Sequence, residues 1–253
     1  MKRFALIAAC AVVLFGAPPI EASEAPKLPE HEWSFSGMFG TFDRGAVQRG
    51  YQIYKDVCSS CHAMSLLAFR NLSEIGFTDE QIKEIAANYE TEDGPNDEGD
   101  MFMRPADAAD RFPSPFPNEK AARFANNGAY PPDLSLITKA RVGGPDYVYA
   151  LLTGYHEEPP EGVQLMPGMN YNEYFPGHQI AMAPPLSDDA VEYQDGTEAT
   201  LPQLASDVVS FLSWAAEPEL EVRKRLGVKV LLFLIALTAI LYALKRKIWT
   251  DVH

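Results

Sequence analysis

The sequence predicts a mainly α-helical domain with long loop insertions, followed by one C-terminal transmembrane helix. Apolar residues recur at helical spacing in two segments, residues 44–57 and 200–216. Twenty prolines in 253 residues, roughly 8% against an average near 5%, assign much of the chain to irregular loop. Val230 to Leu244 is uncharged and almost wholly apolar. Composition narrows the class further. The 21 Lys+Arg against 35 Asp+Glu give a net charge of −14, a balance that repels phosphate and excludes nucleic acid as a partner. A hydrophobic content of 47% excludes general disorder, and three cysteines are too few for a disulfide-built miniprotein.

Met1-Lys2-Arg3, the apolar run Phe4 to Phe15 and the small residue of Ile20-Glu21-Ala22 read as a cleaved export signal over residues 1–22. Twelve apolar residues span too little of a bilayer to anchor there. Residues 23–222 are then an exported, periplasmic domain. Gly50, Tyr54 and Cys58 recur every four residues on one helical face of the proline-free stretch Arg44 to Val57, where Gly50 allows another helix to approach closely. Thr78 begins a helix over Phe77 to Tyr89, with Ile82, Ile85 and Ala86 on one face. Residues 90–118 read as loop, acidic first and proline-rich later. Pro145 to Leu152 is a short helix. Thr200 caps the last soluble helix, whose apolar face is Leu204, Val208, Phe211, Leu212 and Ala215, and which crosses the Gly50 helix. Glu217-Pro218 leads from it into the anchor.

The anchor occupies residues 223–247 with basic flanks, leaving 248–253 as a cytoplasmic tail. Its apolar run, extended back to Leu226, covers about 28 Å at about 1.5 Å per residue, enough to cross a bilayer if Lys229 snorkels. Arg223-Lys224-Arg225 and Lys245-Arg246-Lys247 flank it equally, so the export signal sets the orientation.

Loss of the signal removes Cys10 and leaves Cys58 and Cys61, followed directly by His62. Cys-x-x-Cys-His in an exported chain is the attachment pattern of a c-type haem. Two thiols on one helical turn reach the two vinyl groups of one porphyrin edge, and the adjacent imidazole meets the iron. A structural zinc site normally needs four ligands, and no further cysteine exists to help. A thioredoxin-like pair needs a strand before it, where this chain has a helix pattern. For the sixth iron position the residues leave alternatives open. Met64 is too close to His62 to reach the other face, and Met101 and Met103 lie in an acidic stretch that favours exposure. His156 and His178 remain available. Met166, Met169 and Met182 stand in proline-stiffened loops that spacing does not separate.

Long motifs reduce that choice. Ala125-Asn-Asn-Gly-Ala-Tyr-Pro-Pro-Asp-Leu-Ser135, Ala140-Arg-Val-Gly-Gly144, Leu151-Leu-Thr-Gly-Tyr155, Tyr174-Phe-Pro-Gly177, Ala181-Met-Ala-Pro-Pro185 and Trp214-Ala-Ala-Glu-Pro218 closely resemble the cytochrome c1 family, the haem subunits of ubiquinol–cytochrome c reductase. The resemblance covers residues 31–249. It implies a cytochrome c-like domain with one covalently bound haem c, Met182 opposite His62 on the iron, and Asn126, Pro132 and Arg141 lining the pocket, with Arg141 near a propionate. It further implies single-electron transfer, with no bond chemistry of the chain's own, from a Rieske iron–sulfur protein to a soluble basic cytochrome c. Cytochrome b would lie beside the anchor, in the inner membrane of a bacterium with a respiratory or photosynthetic chain.

Overall fold

The computed structural model describes residues 27–251; the predicted signal at 1–22 lies outside the described residues. The fold is mainly helical. In chain order the helices are α1 (Arg44–Asp56), α2 (Asp79–Ala87), α3 (Glu119–Ala125), α4 (Ile137–Ala140), α5 (Gly144–Thr153), α6 (Leu201–Ala216) and α7 (Leu220–Ile248). Short 3-10 helices occupy Cys58–Ser60, Phe69–Ile75 and Trp249–Asp251. Two small antiparallel pairs interrupt them: β1 (Glu90–Asp93) with β2 (Phe102–Pro105), and β3 (Asn170–Tyr171) with β4 (Gln179–Ile180).

The core is centred where α1 crosses α6, as the spacing of Gly50 anticipates. The Asp43 carboxylate caps α1 by accepting the N–H groups of Gly45 and Ala46 at 2.9 and 3.3 Å. A methyl group on Gly50 would stand 2.0 Å from the Asp207 carbonyl oxygen and 2.7 Å from Phe211 Cβ, so the absent side chain sets the helix separation. Thr200 caps α6 and Pro202 occupies its first turn. Leu204, Val208, Phe211 and Leu212 are buried as the apolar stripe predicts, while Ala215 is only half-buried. Burial extends well beyond that stripe, to Val209, Trp214 and even Asp207.

Asp207 is 1% exposed and its charge is fully partnered. Arg49 on α1 forks onto it through Nε at 2.8 Å and Nη2 at 3.0 Å, and Tyr193 Oη and Gln203 Nε2 donate at 2.9 and 3.0 Å. Asp195 holds the outer Nη1 of the same guanidinium at 2.9 Å. Removing one member of such a buried pair strands the other and its donors. Asp207→Ala should therefore destabilise the domain by about 3–5 kcal/mol in denaturant unfolding followed by circular dichroism. A loss below about 1 kcal/mol is the behaviour of a surface pair and would contradict it.

Helix α2 is shorter than predicted at both ends. Thr78 holds an extended backbone (φ −76°, ψ 161°) to form a reciprocal cap with Gln81, which leaves residues 77 and 78 outside the helix. The segment expected to be loop over 90–118 contains the β1–β2 hairpin instead. Its faces do not alternate apolar and polar, so periodicity gives no strand signal; Arg104 ties it together by pairing with Asp93 and, at 2.6 Å, with Asp110. Met101 and Met103 are exposed there, as their acidic setting suggests. Helix α5 extends one residue beyond its predicted bounds at each end.

Helix α7 starts at Leu220, three residues before the predicted anchor, and its 29 residues span about 43 Å. Its apolar stretch is uncovered by the rest of the described chain, whereas its first turns are fastened to the domain. Glu221 accepts the Phe42 N–H at 2.9 Å and pairs with Arg44 at 3.1 Å. The Lys224 ammonium donates to the carbonyls of Phe35 and Gly40 at 2.6 and 3.2 Å.

Candidate haem site

Helix α1 carries straight into the cysteine pair. The 3-10 turn at Cys58–Ser60 starts after the single residue Val57 that ends α1, and the N–H groups of Cys61 and His62 both donate to the Cys58 carbonyl, at 3.2 and 2.9 Å. This places both thiols and the imidazole on consecutive turns of one spiral. The thiols are unbridged. Burial pushes the Cys58 thiol up to about 12, and Cys61 adds to the rise, so the sulfur stays protonated near neutrality.

His62 is oriented from a distance of seventy residues. Its Nδ1 lies 2.8 Å from the Pro132 carbonyl oxygen. A carbonyl only accepts, so Nδ1 carries the proton and Nε2 keeps its lone pair. Burial lowers the pKa of the ring, against the opposing effects of the Pro132 carbonyl and Asp133, and the ring is therefore a neutral donor. This pattern, one ring nitrogen fixed by an acceptor and the other presented as a ligand, is the usual one for a metal-binding histidine. The residues present fit a haem joined by two thioethers and ligated by the adjacent imidazole.

The lock on His62 is part of a longer lacing between residues 62–66 and 132–135. Leu134 N–H donates to the Ala63 carbonyl at 2.8 Å, and Leu66 N–H to Ser135 Oγ at 3.1 Å. Asp133 accepts from Ser65 N–H and Oγ at 3.0 and 2.6 Å and from Ser135 N–H at 2.8 Å. Burial works to raise the Asp133 pKa, but the hydrogen bonds from Ser135 and Ser65 outweigh it and hold the carboxyl low. Asp133 and Ser65 are absent from the sequence-predicted set, although Asp-Leu-Ser is a legible side-chain turn.

The Met182 loop is built separately. Buried Asn172 donates to the Leu151 carbonyl at 2.8 Å at the end of α5, and its own oxygen accepts the N–H groups of Tyr174 and Phe175. The β3–β4 pair then carries the chain to Met182, whose carbonyl accepts from Tyr155 Oη at 3.1 Å and Asn170 Nδ2 at 3.3 Å. Met182 is half-buried, as is Met169. Met166, His156 and His178 are exposed, and Met64 is sealed in the core. Asn126 closes α3, its Nδ2 donating to the Ala122 carbonyl at 2.7 Å. Arg141 is exposed, bonded to the Ala140 carbonyl at 3.2 Å, and pairs with no carboxylate among the described residues. Pro132 is thus joined directly to His62, while Asn126, Arg141 and Met182 make no hydrogen bond to it.

Residues 33–252 match the model of the Cytochrome C1 family. The chain is 50% identical to "Cytochrome c1" of Rhodospirillum rubrum, an alignment covering 100% of this chain and 98% of that protein. It is 53% identical to "Cytochrome c1 1, heme protein, mitochondrial" of Arabidopsis thaliana, over 90% of this chain and 74% of the relative. It is also 51% identical to "Cytochrome b/c1" of Bradyrhizobium diazoefficiens over 98% of its own length, yet spans only 39% of that protein. With a match running from the aromatic segment before α1 through the cysteine pair to the end of α7, the chain belongs to the cytochrome c1 family.

Proposed function

We propose that this chain is the membrane-anchored c-type haem subunit of a cytochrome bc1 complex, passing single electrons from a Rieske iron–sulfur protein to a soluble basic cytochrome c. The observation that carries the reading is the neutral His62 imidazole, locked by Pro132 and set directly behind two unbridged thiols. Cys58 and Cys61 hold one haem c by thioethers. His62 Nε2 and the Met182 thioether ligate its iron. Asn126, Pro132 and Arg141 line the pocket, with Arg141 at a propionate. When bound, the haem supplies a one-electron couple, and a thioether ligand raises its potential to suit a late acceptor. The work of the chain is to fix ligand orientation through Pro132, Tyr155 and Asn170. Bond-making chemistry belongs to the complex.

Helix α7 crosses the inner membrane of a bacterium beside cytochrome b, with residues 23–222 on the periplasmic side and 248–253 in the cytoplasm. Purification in mild detergent tests the assignment: the chain should emerge with cytochrome b and a Rieske-type subunit. Emergence as a single haem-bearing chain would point to a freestanding shuttle.

Without residues 1–22 the charge is 19 Lys+Arg against 34 Asp+Glu, a net −15. Such a surface steers a basic partner, and the steering shortens as the Debye length falls from about 10 Å at 0.1 M to about 3 Å at 1 M salt. The bimolecular rate of electron transfer to a basic soluble cytochrome c should fall about tenfold or more across that range in stopped-flow measurements. A level or rising rate would remove the electrostatic docking.

A further inference from the structure

Two large apolar side chains near the start of α7 stand outside everything described above. Met38 and Phe39 are 60% and 80% exposed. Their neighbours are not: Phe35 and Phe42 pack into the core with ring centroids 4.9 Å apart, and Trp33 continues the stack 5.5 Å from Phe35. The turn between them is rigidly built. Ser36 N–H donates to the Trp33 carbonyl at 2.9 Å and Thr41 N–H to the Ser34 carbonyl at 3.1 Å. Gly37 takes φ +69°, and any side chain on Gly40 would collide with the Ser36 carbonyl at 2.0 Å.

This turn is fastened to α7 rather than merely near it, through the two bonds from Lys224 to the Phe35 and Gly40 carbonyls. Met38 and Phe39 share a groove with Val228 and Lys229. Val228 lies about 6 Å further along the helix axis than Lys224, at the start of the apolar run. The basic side chains of Arg225 and Lys229 border the same groove. Apolar tips flanked by cations at the end of a spanning helix match the chemistry of a bilayer interface with anionic headgroups.

We propose that the turn around Met38 and Phe39 is a second membrane contact, which inserts these two side chains into the bilayer interface and fixes the height of the haem domain above it. The inference rests on the reading of α7 as membrane-spanning. A rigid peg beside the helix gives the domain a second point of contact with the bilayer, which opposes its tilting about the foot of α7.

Nitroxide labels on single introduced cysteines test it in the full haem-loaded chain, reconstituted in vesicles of phosphatidylcholine with phosphatidylglycerol. Phe39→Cys reports the turn, Ala236→Cys the span and Asp97→Cys, in the exposed acidic hairpin, water. With the haem reduced, accessibility to oxygen relative to a water-soluble nickel chelate should be several-fold higher at 39 than at 97, and on the same side as at 236. A water-like value at 39 beside a lipid-like value at 236 would overturn the second contact and leave the spanning helix intact. A water-like value at 236 would overturn the span, and the inference with it. In the purified complex, a label at 39 shielded from both reagents would assign the turn to a neighbouring subunit and overturn the lipid assignment.

Discussion

Replacing Cys58 and Cys61 together by alanine should strip all haem from the polypeptide in denaturing electrophoresis, where the unaltered chain keeps its haem-dependent peroxidase stain. The effect is all-or-none because a thioether survives denaturant and axial coordination does not. Each sulfur would add across one vinyl group of the haem, the thiol hydrogen going to the adjacent vinyl carbon, so each thioether would form without net oxidation. The unbridged thiols of the structure are the form that addition requires, Cys58 being kept protonated by its burial. Either single variant should keep the haem by one bond, and absorbance of the reduced protein should shift as one vinyl group is freed. Covalent haem in the double variant would end the proposal, since among residues 27–251 these are the two cysteines.

Met182→Leu should leave the haem attached and lower its midpoint potential by a few tenths of a volt, inside the roughly 0.8 V range that axial ligation commands. Loss of the thioether removes the ligand that favours ferrous iron and opens a coordination position, so the reduced variant should bind carbon monoxide that the unaltered protein binds poorly. Met166→Leu should do neither, because Met166 is 57% exposed and its loop is held through its backbone N–H by Gln179 Oε1 at 2.8 Å. Potentiometric titration of both variants decides between them. If the two results came out exchanged, the ligand would be Met166, and the clamp of Tyr155 and Asn170 on the Met182 carbonyl would be purely structural.

The elements that were legible in the sequence are those whose cause lies within one or two turns. Thr78 and Thr200 announce α2 and α6 because a cap reaches only the next three N–H groups. The Cys58, Cys61 and His62 pattern is readable for the same reason: the chemistry needs two thiols and an imidazole on adjacent turns, and adjacency is a property of the sequence. The apolar run of α7 is readable from composition alone. Short elements without such signals were missed. The β1–β2 hairpin owes its form to Arg104 reaching Asp93 and Asp110, and α3 and α4 are too short to show a period.

The sequence by itself therefore determined the class of the fold, the long apolar helix at its C-terminal end and the Cys58, Cys61 and His62 pattern along one stretch of chain. Only the tertiary structure decided how those residues are held. The lock on His62 is a backbone carbonyl seventy residues away, and the clamp on Met182 is another backbone carbonyl met by Tyr155 and Asn170. Every residue carries the same carbonyl, so no letter of the sequence marks which one becomes the acceptor. The burial of Asp207 is a similar case. On α6 it reads as a polar position beside the apolar stripe, and it becomes interior because Gly50 lets α1 close over it with Arg49 already in reach. Its charge is tolerated there because four donors, from both helices and from Tyr193, converge on one carboxylate, an arrangement that forms only when segments distant in sequence pack together.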